Sequence, residues 1–312
     1  MCFADRFPER NGFWRSITDP EAVSSLGIVL PAYQPDVQRL RSYVGALEEQ
    51  LAPEAILIEL DAPRPGVPKA LEDCPATVAV ADRRRGKGRA ITAGFDRLLG
   101  EEGNDYSLSS PDETHSDANG GCDPTTDDAG PTIDTLAFFD ADGSTPPESA
   151  ATVLAPVLAG ACDLAVGSRR HPDAAVRRHQ TLGRRRLGDG FAWLARRLVE
   201  PSLYDYQCGA KAFSAVVWRD VRECLHEPGF AWDLECLVRA AALGYEIEEV
   251  PITWQDRSRS TVPPALTALA LARALYRARR GERDAGASSH RTRQLARTDG
   301  TKGPPNDRDT SR

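Results

Sequence analysis

Two aspartates, Asp140 and Asp142, stand either side of Ala141, directly after the apolar run Leu136-Ala137-Phe138-Phe139. A strand ending in Asp-Ala-Asp breaks into a turn there, so both carboxylates point outward together. They are the oxygen ligands that a hard divalent cation prefers. Such a cation bridges phosphate oxygens and neutralises charge growing on a departing diphosphate. The competing reading is a surface pair that caps the following helix. The strand-terminal setting favours the metal site.

Three further clusters carry charge that could meet a phosphate or a sugar. Gly86-Lys87-Gly88 follows Arg83-Arg84-Arg85. Glycines let a backbone approach a phosphate and a helix start favours an anion, so Lys87 could reach one. A basic surface turn explains these residues equally well, and GxxxxGK[ST] is absent. Gly167-Ser168-Arg169-Arg170 and Arg184-Arg185-Arg186 supply guanidiniums, which hold phosphate oxygens in pairs. Arginine runs are usually solvated helix faces. Arg169 differs in closing an apolar run, and one of the later three, taken here as Arg185, is expected to join it. Asp233, beside Trp232, is a candidate general base, with a helix N-cap as its bland alternative. Cys208 reads as a buried structural thiol.

The elements that must position these residues alternate. Apolar runs predict strands at Gly27–Leu30, Ala55–Leu60, Thr77–Ala81, Thr135–Phe139, Leu164–Val166 and Ile247–Trp254, with another running through Phe213. Helical spacing predicts helices from Asp36 to Leu51 (Leu40, Tyr43, Val44 and Leu47 recur), from Gly88 to Leu99, over Pro147–Leu158, over 183–200 and after Trp232. This alternation predicts an α/β domain with a mostly parallel sheet covered by helices on both faces. Ligands bind off the carboxyl ends of such strands. Tyr33, Asp61, Asp82, Asp140, Asp142 and Arg169 are expected at those ends.

Residues 1–25 read as a polar extension, 26–262 as the main domain, and 101–134 as a disordered acidic insertion. Residues 263–280 read as an amphipathic helix. Its Arg273, Arg277 and Arg280 forbid a spanning role and allow one on a membrane surface. Residues 281–312 read as a disordered tail.

Length and charge exclude several classes. A chain of 312 residues suits one large domain. A formal net charge of -7 argues against nucleic acid as a partner. Lysine occurs only at 69, 87, 211 and 302, and acidic residues outnumber basic ones, 46 to 39. That pattern fits a halophilic host, or a GC-rich genome that writes Arg for Lys. Seven cysteines without a CxxC argue against a disulfide framework or zinc site and for a reducing, cytoplasmic setting. The N-terminus lacks the apolar core of a signal peptide, and no run of about 18 apolar residues predicts a transmembrane helix.

The motifs also occur in a specific order: LPAY (30–33), Asp61, GKGRAITAGF (86–95), FFDADGS (138–144), VGSRR (166–170), DYQCGAKAF (205–213), FAWDLECL (230–237) and EVPITW (249–254). Over roughly residues 26–262 the chain resembles the family-2 glycosyltransferases of GT-A fold, in particular the dolichyl- and polyprenyl-phosphate glucosyl- and mannosyltransferase branch. The resemblance implies a Rossmann-like GT-A domain that inverts the anomeric carbon. It would move a hexose from UDP-glucose or GDP-mannose to a polyprenyl phosphate, with Mg2+ or Mn2+, at the inner face of the cell membrane. Protein N-glycosylation or cell-surface glycan synthesis would be the setting. It further implies that Pro31, Tyr33 and Asp61 line the nucleoside pocket and that Lys87 lies by the sugar-nucleotide. Asp140 and Asp142 would bind through the metal, Arg169 would face phosphate, and Asp205, Gln207 and Asp233 would sit by the sugar and acceptor, with Asp205 and Asp233 catalytic. Two departures stand out. Gln34-Pro35 replaces Asn-Glu after the Tyr, and Leu60-Asp61-Ala62 carries one Asp where a pair is usual, so Asp61 aligns with either member. Ala210 replaces a phenylalanine and is expected to enlarge the pocket. Rival readings are a sugar-hydroxyl acceptor, a nucleotidyltransferase, and a non-catalytic nucleotide-sugar binder.

Overall fold

The computed structural model describes residues 25–101, 132–178, 190, 192–229 and 231–255. The expected N-terminal extension, nearly all of the acidic insertion, the amphipathic helix at 263–280, the tail and Arg185 lie outside the described residues. A central sheet of seven strands has the order β3-β2-β1-β4-β7-β5-β8. Its members are β1 (Leu26–Ala32), β2 (Ala55–Asp61), β3 (Thr77–Ala81), β4 (Thr135–Phe139), β5 (Leu164–Ser168), β7 (Ala210–Ser214) and β8 (Ile247–Pro251). All pairings are parallel except those of β7, which runs antiparallel to both β4 and β5. A two-stranded sheet joins β6 (Ala175–Arg178) to β9 (Thr253–Gln255).

Alternation along the buried strands builds two cores. Val29, Leu57, Leu136, Phe138 and Phe213 face one side; Ile28, Leu30, Ile58, Ala137 and Phe139 face the other. The first side is covered by α2 (Lys87–Leu98), α4 (192–198), α5 (Ala215–Arg222) and α6 (Trp232–Leu243), and the second by α1 (Val37–Leu51) and α3 (Pro147–Leu158). Asp36 caps α1 by accepting the Arg39 N–H, which ends the preceding turn where the spacing predicts. On the first side the rings interlock edge to face: Phe95 lies 4.9 Å from Trp218, and Phe138 lies 5.7 Å from Trp232. The two indoles keep partners at their polar tips, Asp96 Oδ1 for Trp218 and Thr92 Oγ1 for Trp232.

Two features differ from the periodicity. The run Ile247–Trp254 is two strands in different sheets. Pro251 has no N–H to continue a ladder, and at Ile252 the chain crosses over: its N–H donates to Ser168 O, and its carbonyl accepts from Ala175. Helix α5 and strand β6 lie where the periodicity predicts no element. Ser214 capping the N–H of Val217, with Trp218 and Val221 one turn apart, was the legible sign of α5.

Candidate active site

Parallel pairing puts the carboxyl ends of β1 to β5 on one edge. Strand β7 runs the other way, so its lead-in, Asp205 to Gly209, reaches that same edge, with Ala210 opposite Phe139. The Asp140 N–H donates to Gly209 O at 2.9 Å. A Cβ on residue 209 would displace the Asp140 carboxylate from its present position. Ala210 is fully buried, and its Cβ lies 3.1 Å from where a Cβ on Gly167 would stand.

A line of alternating charge leads inward from Asp140. Lys87 Nζ is 2.9 Å from Asp140 Oδ1 and 3.7 Å from Asp233 Oδ2, and Asp233 Oδ1 is 2.7 Å from Lys211 Nζ. Lys211 is wholly buried and donates its other hydrogens to the carbonyls of Tyr206 (3.3 Å) and Cys208 (2.8 Å), which completes its three bonds. Both ammoniums also flank the Phe138 ring, at 5.2 and 5.5 Å. Burial alone would lower the pKa of Lys87, but the Asp140 and Asp233 carboxylates outweigh it and raise it, so this side chain stays charged. Asp233 is 2% exposed. Its two oxygens face the Lys87 and Lys211 ammoniums, a geometry that makes it a positioning group for Lys87. It is not a cap, since Ala231 occupies that place and makes no side-chain bond. Cys208 is buried, as expected of a structural thiol.

Arg169 closes β5, and Asp205 binds it twice, at 2.7 Å (Nε) and 3.0 Å (Nη2). The Asp205 backbone is held in turn by Glu249 of β8, whose carboxylate accepts the N–H groups of Tyr204 and Asp205, each at 2.8 Å. Burial would raise the Asp205 pKa; the Arg169 guanidinium overrides it and holds it down at about 2. A carboxylate that acidic and that buried orients Arg169 and accepts no proton near neutrality. Of the two residues expected to be catalytic, Asp233, the candidate general base, thus faces Lys87 and Lys211, and Asp205 is engaged with Arg169. Gln207 donates its N–H to Asp205 Oδ1, while its half-exposed side chain has no hydrogen bond among the described residues.

The β1–β3 end is built differently. Asp61 accepts the N–H groups of Arg85 (2.6 Å) and Gly86 (2.9 Å), and one turn further on Arg89 donates its N–H to Pro228 O. Gly86 sits at φ +95, with its open side against that same carbonyl, and Gly88 backs onto Trp232. The glycines of this turn are thus required by packing, and the N–H groups of Arg85 and Gly86 are spent on Asp61, away from any phosphate. Beneath the turn, fully buried Glu59 binds Arg85 Nη2 at 2.7 Å and also Arg97. What this end leaves open is a surface: Tyr33 is exposed, with Arg84 stacked 4.2 Å above its ring, and Pro31 is half-buried beside it. Glu59, Arg85 and Glu249 were missed as site-builders; a Glu inside an apolar strand was the available sign of the first.

Asp140 and Asp142 fit a hard cation. Asp140 is 38% exposed at its side chain and already holds an ammonium, a cation in the place a metal would take. Asp142 commits Oδ1 to the Ser144 N–H and hydroxyl, and Oδ2 has no hydrogen-bond partner among the described residues. No cluster of three His, Cys, Asp or Glu side chains exists among the described residues. The cation would therefore take its remaining ligands from phosphate and water, the usual habit of Mg2+.

No family model matches the chain. Over 129 residues it is 33% identical to glycosyltransferase AglD of Haloferax volcanii, covering 41% of this chain and 20% of that one. Over 115 residues it is 31% identical to dolichyl-phosphate beta-glucosyltransferase of Saccharomyces cerevisiae (36% and 34% covered). Over 125 residues it is 31% identical to undecaprenyl-phosphate mannosyltransferase of Micrococcus luteus (40% and 50% covered). The chain spans between a fifth and half the length of these curated relatives. Among solved structures, glucosyl-3-phosphoglycerate synthase from Mycobacterium tuberculosis, crystallised with Mn2+, UDP and glucosyl-3-phosphoglycerate, superposes with a TM-score of 0.58. The overlap covers 87% of this chain and 86% of that one at 14% identity, so the likeness is one of fold. The architecture is thus that of the GT-A glycosyltransferase fold, and the matched stretches are similar to glycosyltransferases that act on dolichyl and undecaprenyl phosphate.

Proposed function

We propose that the chain is an inverting, Mg2+- or Mn2+-dependent transferase that moves a hexose from UDP-glucose or GDP-mannose to a polyprenyl phosphate, with residues 26–262 as its catalytic domain. One observation carries the choice of acceptor. Both carboxylates at the sugar end, Asp205 and Asp233, are neutralised by buried cations. A hydroxyl acceptor needs a base to take its proton. A phosphate monoester, with a second pKa near about 6, arrives already anionic. The names of the yeast and Micrococcus relatives point the same way.

On this reading Asp140 and Asp142 would hold a divalent cation, which would supply charge neutralisation for the leaving diphosphate. Lys87, fixed at the start of α2 by Asp233, lies within reach of the same oxygens. Arg169, aimed by Asp205, meets an acceptor or donor phosphate, and Arg185 is proposed to assist it. Gln207 supplies a free amide to the sugar. Pro31, Tyr33 and Arg84 bound the nucleoside, with Asp61 holding the turn that carries Arg84. The pocket thus lacks an evident carboxylate for the base, which leaves both nucleotides as substrates to test.

A lipid acceptor requires a membrane face. No helix among the described residues is long and apolar enough to cross a membrane. Near Arg169, however, α4 exposes Trp193 and Leu194, with Arg197 over the Trp193 ring and Arg196 over exposed Tyr204. Aromatic and cationic side chains together suit the headgroup layer. We propose that this patch, together with the segment 263–280, rests on the inner face of the cell membrane.

The deciding assay offers labelled UDP-glucose and GDP-mannose with Mn2+ to the chain in the presence of polyprenyl phosphate or the corresponding polyprenol. Label in the organic phase with the phosphate alone is expected. Transfer to the alcohol or to a free sugar would replace this reading with the hydroxyl-acceptor one, and binding without transfer would make the chain a nucleotide-sugar binder.

A further inference from the structure

The charged line at Asp140 is closed at one end and open at the other. Lys211 is fixed by three acceptors and wholly buried, so it cannot leave Asp233. Asp233 is therefore fixed as well. The Lys87 side chain is 15% exposed, and Asp140, at 38%, forms the open end. Two carboxylates and two ammoniums make the set neutral as it stands. A divalent cation that arrives by itself must either displace the Lys87 ammonium from Asp140 Oδ1 or share one carboxylate with it, placing like charges side by side. A cation that arrives on a diphosphate brings the anion that can take Lys87 over.

We infer that Lys87 is the resident counter-cation of Asp140, which keeps the site from loading a bare divalent cation and makes metal and nucleoside diphosphate bind as one unit. Asp233 is the positioning residue that returns Lys87 to Asp140 when the site empties. This rests on the reading of Asp140 and Asp142 as cation ligands, and it adds a binding order and a residue responsible for it. Because coupling is reciprocal, the metal must tighten the diphosphate by the factor with which the diphosphate tightens the metal.

The test titrates Mn2+ into the full chain, following free Mn2+ by electron paramagnetic resonance, without nucleotide and with UDP or GDP. The wild-type chain is expected to bind Mn2+ weakly without nucleotide and more strongly with it. Lys87→Met is expected to raise nucleotide-free Mn2+ affinity about tenfold and to shrink the coupling by a similar factor, within the usual range for coupled sites. Lys87→Arg, which keeps the charge, is expected to stay near wild type, an outcome that a merely structural role for the side chain does not produce. Circular dichroism melts confirm that each variant is folded. An unchanged or weaker nucleotide-free affinity in Lys87→Met, with coupling intact, overturns this inference alone. If neither protein binds Mn2+ with either nucleotide, the proposed function falls with it.

Discussion

The two halves of the site edge use carboxylates in opposite ways. At the β1–β3 half, Asp61 and Glu59 turn inward and spend their oxygens on one turn: the backbone of Arg85 and Gly86, and the guanidiniums of Arg85 and Arg97. What remains outside is the Tyr33 ring and the Arg84 above it, a surface that stacks with little chemical discrimination. At the β4–β7–β5 half, Asp140, Asp233 and Asp205 each meet a cation, and the line of charges opens at Asp140. The first half is a rigid frame with an adaptable surface. The second is a preorganised electrostatic device, whose cost in desolvation makes sense only if charge must be handled there.

That contrast can be broken at its strongest point first. Asp140→Asn is expected to reduce transfer on the order of a thousandfold, because a metal contact serves the leaving group directly, with the melting temperature little changed. Steady-state rates across a Mn2+ titration check it. Lys211→Met should act on stability: it strands the buried Asp233 carboxylate and costs about 3–5 kcal/mol in denaturant unfolding. On the frame side, Asp61→Asn keeps some acceptor capacity and is expected to cost only about 1–3 kcal/mol by the same measurement, with loss of order at the 83–88 turn.

A subtler expectation concerns acid. The Asp205 pKa is depressed from 3.8 to about 2 in the folded chain. Its stabilising contribution is therefore fully present above about pH 4 and lost as pH falls through about 2, amounting to about 2 kcal/mol. Asp205→Asn should flatten that part of the stability-against-pH curve, and an unchanged slope between pH 4 and 2 would remove Asp205 from the account. The smallest effect is expected at the adaptable surface. Arg84→Ala should raise KM for the sugar-nucleotide about two- to fivefold while kcat holds, since one exposed cation stacked on a ring contributes about 0.5–1 kcal/mol.

Much of this architecture was legible before any coordinates. Strand ends are punctuated by Asp61, Asp140 and Arg169, and buried strands read as unbroken apolar runs because helices cover both faces. The partners were not legible. That Asp233 is held by Lys211 depends on β7 running antiparallel between β4 and β5, a pairing that no local spacing encodes. That Gly86 and Gly88 serve packing against Pro228 and Trp232, residues some 140 positions away, is a long-range fact of the same kind. Asp233 reads as a candidate base, and Asp205 as a catalytic group, because a sequence shows carboxylates and hides the cations across from them. The break at Pro251, in contrast, was visible in principle: a proline cannot continue a ladder.

The most direct test is calorimetric titration of UDP and GDP into the wild-type chain and into Asp140→Asn and Asp142→Asn, with Mn2+ and with a chelator present. Nucleotide binding that depends on Mn2+ in the wild type, and loses that dependence in both variants, is what a cation gripped at the end of β4 requires. Binding that proceeds equally well in the chelator, or that keeps its Mn2+ dependence in both variants, would contradict it.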